Sequence, residues 1–191
     1  MLYLNQREYR HIPYMHDLDN GGAPEERRNV GTSGCGLCAM CMIVDHLTAE
    51  SLALEECVRL SEENGANRKP GTSLSILGPV IADMFDLDFS ITGSVEEMVA
   101  YVRAGGEVAV NVKRKEDGTP GIFTARGHWI LVISTDGKEV CILDPNYAPG
   151  KFREYEEQGL IRVKEPFLYC SLETLHAETR NETPYYMFSR K

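Results

Sequence analysis

The 191-residue sequence contains no apolar run approaching the roughly 20 residues needed to cross a bilayer, so no membrane partner is expected. It has no internal repeat and no low-complexity linker, and the expectation is one domain over residues 1–191 with a substantial core. Positive charge is scarce: 20 Lys and Arg stand against 29 Asp and Glu, for a net charge of −9. The densest basic patch, Lys113-Arg-Lys115, is cut short by Glu116-Asp117. That leaves no footprint for a phosphate backbone, and no nucleic-acid partner is expected. The opening Met-Leu-Tyr-Leu-Asn-Gln-Arg-Glu lacks the basic region and apolar stretch of a secretory signal. A cytoplasmic chain is therefore expected, with its six cysteines reduced.

The chain does have a distinctive run over residues 31–46: Gly-Thr-Ser-Gly-Cys35-Gly-Leu-Cys-Ala-Met-Cys-Met-Ile-Val-Asp-His46. A small, flexible turn leads straight into an apolar, helix-compatible segment. A helix that begins near Cys35 aims unpaired N–H groups and the positive end of its dipole at the sulfur. Such a setting favours thiolate over thiol, and the thiolate is the nucleophile. The plain alternative is a cysteine that merely opens a buried helix.

Periodicity predicts helices over 35–47, 50–63, 74–86 (kinked or restarted at Gly78-Pro79) and 95–103, the last with a Ser94/Glu97 capping box. The period then changes. Strands are predicted at 108–112, 128–133, 140–143, 161–169 and 184–189, with a short helix over 171–179 and an irregular arm over 1–34. Helices first and antiparallel strands later indicate an α+β fold, helices packed on one sheet.

Two of those strands carry a second half of a site. His128 opens one and Asp144 closes the next, with Ser134-Thr-Asp-Gly-Lys138 between them. A three-residue loop, Thr135-Asp136-Gly137, pairs Val132 with Val140 and Ile130 with Ile142, which sets His128 directly opposite Asp144. A bulged equivalent of the same parity keeps both on one face, whereas a two-residue loop puts them on opposite faces. A carboxylate against an imidazole fixes its tautomer and stabilises the imidazolium, which in turn favours a neighbouring thiolate. Acyl transfer also needs oxyanion donors: the Cys35 N–H is one, and the side-chain amide of Gln6 or of Asn5 offers another.

The spacing Cys35, Cys38, Cys41 also matches a metal or iron–sulfur motif. On a helix, however, residues turn by about 100° each and these thiols diverge. No metal and no organic cofactor is expected, and Cys38, Cys41, Cys57, Cys141 and Cys170 read as core residues. Tyr101, Trp129, Tyr147 and Tyr155 are aromatic candidates for a groove, although Trp129 falls on the sheet face opposite His128.

Taken together, Asn-Gln-Arg (5–7), Ser-Gly-Cys-Gly (33–36), Gly-Thr-Ser (71–73), Gly-His-Trp (127–129) and Ile-Leu-Asp-Pro-Asn (142–146) resemble the C39-like group of papain-fold cysteine peptidases. The likeness spans about residues 3–147; Leu37-Cys38 departs from it, standing where relatives often carry proline and then a small residue. The resemblance implies a papain-like fold and a peptide or related amide substrate. It implies Cys35 as nucleophile, His128 as base and then acid, Asp144 as its orienter, and Gln6 in the oxyanion hole. A catalytically inactive papain-like binding module, and an acyltransferase or transglutaminase, would share the same residues.

Overall fold

The structure is a computed structural model that describes residues 1–15, 24–69, 71–179 and 182–191. Part of the arm expected over 1–34, residues 16–23, lies outside these. The rest of it contains 3-10 turns at Gln6–Glu8 and Glu25–Arg27 and a single-turn helix α1, Val30–Ser33. The helices α2 (Cys35–Leu47), α3 (Leu54–Glu63), α4 (Leu74–Met84) and α5 (Val95–Arg103) follow, with a two-residue ladder of β1 (Asn67–Arg68) and β2 (Gly71–Thr72) before α4. The strands β3 (Leu87–Thr92), β4 (Glu107–Lys113), β5 (Gly127–Thr135), β6 (Glu139–Leu143), β7 (Arg162–Lys164), β8 (Phe167–Ser171) and β9 (Tyr185–Arg190) form one antiparallel sheet in the order β3-β9-β4-β5-β6-β8-β7. Two short helices, α6 (Arg153–Glu157) and α7 (Leu172–Ala177), complete the described elements. No described helix is long and apolar enough to cross a membrane.

Side-chain alternation divides the interior into two cores, one on each face of the sheet. On one face Ala109, Trp129, Leu131 and Leu143 meet α2, α3 and α4. On the other, Val108, Val110, Val112, Ile130 and Val132 meet α5, α7 and the loop holding Phe152. Helix α2 is apolar nearly all round, as a central buried helix must be: every residue from Gly36 to Val44 is buried. Its first turn lies close against the sheet. A Cβ on Gly36 would fall 3.0 Å from Thr72 Cβ and 3.1 Å from Trp129 Cδ1, so the smallest residue brings Cys35 to the strand ends.

Several expectations are corrected. The second helix starts at Leu54 rather than 50, because Ala53 is still extended (φ −64, ψ 143). Helix α4 runs through Pro79 without restarting, the proline falling in its second turn on the exposed side. The single strand expected over 161–169 is a hairpin, β7 and β8, folded at Glu165-Pro166. The β5–β6 register also differs. Val132 pairs with Ile142 and Leu131 with Leu143, while Ser134 pairs with Cys141, so Ile133 is an extra residue in a bulge. Asp136 turns the loop by accepting from the backbone N–H groups of Lys138 and Glu139, and Gly137 takes the left-handed conformation (φ +93). His128 is therefore diagonal to Asp144 rather than directly opposite it, but the two share a face.

Candidate active site

Four sequence elements converge at one end of the β4–β5–β6 ladder. Gly34 precedes α2, so Cys35 is the first residue of that helix, where the first N–H groups have no intrahelical acceptor. Cys35 is partly exposed, whereas Cys38, Cys41 and Cys57 are wholly buried in the core, and all six cysteines are unpaired thiols. Cys38 and Cys41 belong to the core and do not line the cleft that Cys35 opens onto. Among the described residues no three His, Cys, Asp or Glu side chains are arranged to hold a metal.

His128, the second residue of β5, pairs with Val112 of β4 and is 5% exposed. Its Nε2 lies 2.6 Å from Asp144 Oδ1. Asp144 is fully buried just beyond β6 and has two further partners. The backbone N–H of Asn146 donates to Oδ1 at 2.7 Å, and Lys151 Nζ donates to Oδ2 at 2.6 Å. Lys151 also donates to the Asn146 carbonyl at 3.1 Å and lies 4.9 Å above the Phe152 ring. A buried carboxylate is costly unless paired, and here every lone-pair direction in use has a donor.

These contacts set the protonation of the site. Burial pushes the Cys35 thiol up, but the charge and hydrogen bond of His128, with the backbone N–H groups of Trp129 and Gly36, outweigh it and leave the thiol below its ordinary value. Burial pulls the His128 imidazole down, while the charge of Asp144, that of Cys35 and hydrogen bonds to both raise it to about 9. Burial alone would raise Asp144; His128 and Lys151 together hold it far below the usual carboxylate range. Both shifts act in the direction of a thiolate–imidazolium pair. By contrast, burial raises Cys38, Cys141 and Cys170 above the ordinary thiol value.

Gln6, Cys35 and His128 line one open cleft of about 440 Å³. Gln6 is 3% exposed; its Nε2 donates to the Gly31 carbonyl at 3.1 Å, and its backbone N–H to the Pro145 carbonyl at 2.7 Å. The side chain also lines the cleft, and its Oε1 is buried with no hydrogen-bond partner among the described residues. Asn5, the other amide candidate, is occupied elsewhere: it caps the turn by accepting from the Arg7 N–H and donates to the Tyr147 carbonyl. The Tyr3 hydroxyl donates to the Asp144 carbonyl at 2.8 Å, so residues 3–6 are strapped across the segment that holds the carboxylate. Trp129 packs with the α2 core, donates from Nε1 to the Thr72 carbonyl, and also forms a wall of the cleft. Tyr101, Tyr147 and Tyr155 do not line it.

Lys151 is the residue that the sequence reading missed. It stands seven positions beyond Asp144 in an irregular loop, where no periodicity marks it.

No family model matches the sequence, and no curated relative does. Solved structures do. The peptidase domain of Streptococcus ComA, a bi-functional ABC transporter involved in quorum sensing, superposes with a TM-score of 0.53 at 13% identity, over 84% of this chain and 93% of that domain. A protein from Bacillus anthracis named as a C39-like peptidase superposes with a TM-score of 0.55 at 15% identity, over 83% of this chain and 88% of that one. The fold is that of C39-like, papain-type peptidase domains. At these identities the likeness concerns architecture, an α+β arrangement of helices on an antiparallel sheet, and the chemistry must be argued from the residues themselves.

Proposed function

We propose that this chain, as one domain over residues 1–191, is a thiol-dependent peptidase that cleaves a peptide or related amide bond through a thioester. The observation that carries this reading is a partly exposed thiol of lowered pKa at a helix start, coupled to an imidazole raised to about 9, in one open cleft. The C39-like fold supports it.

In this mechanism the Cys35 thiolate attacks the carbonyl carbon, a C–S bond forms, and the π electrons move to the oxygen. The Gln6 amide and the Cys35 N–H hold that oxyanion. As the intermediate collapses the C–N bond breaks, and imidazolium His128 gives its proton to the departing amine. His128, now neutral, takes a proton from water; the hydroxyl adds to the thioester, the C–S bond breaks, and the acid leaves with the thiolate restored. Asp144 keeps Nε2 protonated and directed, which leaves Nδ1 for the thiol and the substrate.

The test is alkylation with iodoacetamide at neutral pH followed by peptide mapping. Rapid labelling is expected at Cys35 alone, with Cys35→Ala abolishing both labelling and peptide cleavage while the chain stays folded. Slow labelling spread over several cysteines overturns the reading.

A further inference from the structure

A chain with net charge −9 should repel acidic peptides, yet its cleft inverts that balance. Among the described residues, the walls around Cys35 carry Arg27, Lys113 and Arg126 and no aspartate or glutamate. They come from separate elements. Arg27 ends the 3-10 turn that leads into α1, Lys113 closes β4, and Arg126 immediately precedes β5. Lys113 pairs with Gly127 across the ladder, so two of these cations stand one and two residues from the His128 level. The inner residues contribute no net charge of their own: Lys151 balances the Asp144 carboxylate, and a proton shared between Cys35 and His128 leaves that pair neutral overall on whichever of the two it sits. The rim therefore sets the sign of the field that a substrate meets.

We propose that the cleft takes acidic substrates, seating a substrate carboxylate beside the scissile bond against Arg27 and Arg126. The proposal deepens the peptidase reading and rests on it. A planar guanidinium matches a carboxylate in two parallel hydrogen bonds, a geometry that a neutral isostere such as an amide cannot reproduce with the same charge. A cleft of one sign, set in a chain of the other, also concentrates the matching ligand at that place alone, and salt weakens the effect. The carboxylate has two sources, a Glu or Asp side chain or the end of the peptide. Both present the same chemistry to the arginines.

Two measurements test this. The first compares alkylation of Cys35 by iodoacetate, an anion, and by neutral iodoacetamide. The ratio of the two rates is expected to fall about five-fold in Arg27→Gln/Arg126→Gln and to be kept in Arg27→Lys/Arg126→Lys, with high salt shrinking the wild-type ratio. The second compares kcat/KM for peptide sets carrying Glu, Gln or Lys beside the cut, with free or amidated C-termini. Glu is expected to exceed Gln, and Gln to exceed Lys, if a side chain is read; a loss on amidation alone assigns the carboxylate to the peptide end. A reactive Cys35 whose rate ratio is the same in wild type and the glutamine variant overturns the acidic-substrate inference and leaves the peptidase standing. A Cys35 inert to both reagents overturns the peptidase reading, and this inference with it.

Discussion

Lys151 Nζ holds the Asp144 oxygen that His128 leaves, at 2.6 Å, so one buried carboxylate serves two cations. Lys151→Met removes a charge that repels the imidazolium and leaves Asp144 with His128 as its one cation, beside the Asn146 N–H. The expected result is a loss of about 3 kcal/mol of stability, the usual cost of breaking one side of a buried ion pair. The alkaline limb of activity should move up from its wild-type position, and Lys151→Arg should restore most of both. Urea denaturation and a pH profile read the two effects separately.

Gln6 contributes an amide to the cleft and is held by Gly31 and Pro145 rather than by the catalytic groups. Gln6→Ala is expected to lower kcat by about 10²–10³ with little change in KM, as for loss of one oxyanion donor. Equal loss in binding and turnover, or none, would show that Gln6 does not touch the oxyanion.

The pH dependence follows from the paired shifts. The reactive form needs Cys35 deprotonated and His128 protonated. Its acidic limb should lie below the ordinary thiol range, because the thiol is lowered, and its alkaline limb should lie near the histidine value of about 9. Iodoacetamide rates from pH 4 to 11 should therefore stay high across neutrality, and kcat/KM should fall on both sides.

A second buried pair governs the strap. His46 Nε2 donates to the Leu2 carbonyl at 2.7 Å, its Nδ1 lies 2.8 Å from Glu107 Oε1, and the neighbouring Asp45 accepts from the Leu2 N–H at 2.9 Å. Burial would lower His46, but its hydrogen bond to Glu107 and that charge raise it; burial in turn raises Glu107. Both shifts mean that the folded state holds its protons more tightly than the unfolded chain does. Their stabilisation is fully present below the unfolded values and fades as pH climbs; for His46 the loss runs from about 6.5 up through its raised value. The urea midpoint should fall over that window in the wild type and change less in His46→Gln. Protection of residues 2–7 from hydrogen exchange should fall with it.

Much of the candidate site is legible in the sequence. The Ser-Gly-Cys-Gly turn ahead of an unbroken apolar segment located α2 at Cys35–Leu47, because close helix approach and full burial each leave a compositional mark. Parity around Asp136-Gly137 put His128 and Asp144 on one face. The register itself was not legible, since Ile133 bulges out of a uniformly apolar run and nothing in Val132-Ile-Ser singles it out. Strand β3 is not predicted from the sequence although Leu87, Phe89 and Ile91 alternate, for three apolar residues after a helix are a weak signal. The β7–β8 hairpin is masked by the apolar residues on either side of it, despite Glu165-Pro166, a dipeptide that disfavours an uninterrupted strand. Lys151 was invisible because its role depends on a loop path and not on a period.

The extra residue at Ile133 has a consequence for how this hairpin can vary. With the bulge in place, imidazole and carboxyl project to the same side of the pleat. The bulge absorbs the odd residue, so deleting Ile133 alone would let Ser134 follow Val132 in an unbroken ladder and leave both groups on that side. A single insertion or deletion between His128 and Val132, or between Ile142 and Asp144, would instead carry one of them through to the far side, so the hairpin can change length at its bulge and turn but not along the stretches that hold the site.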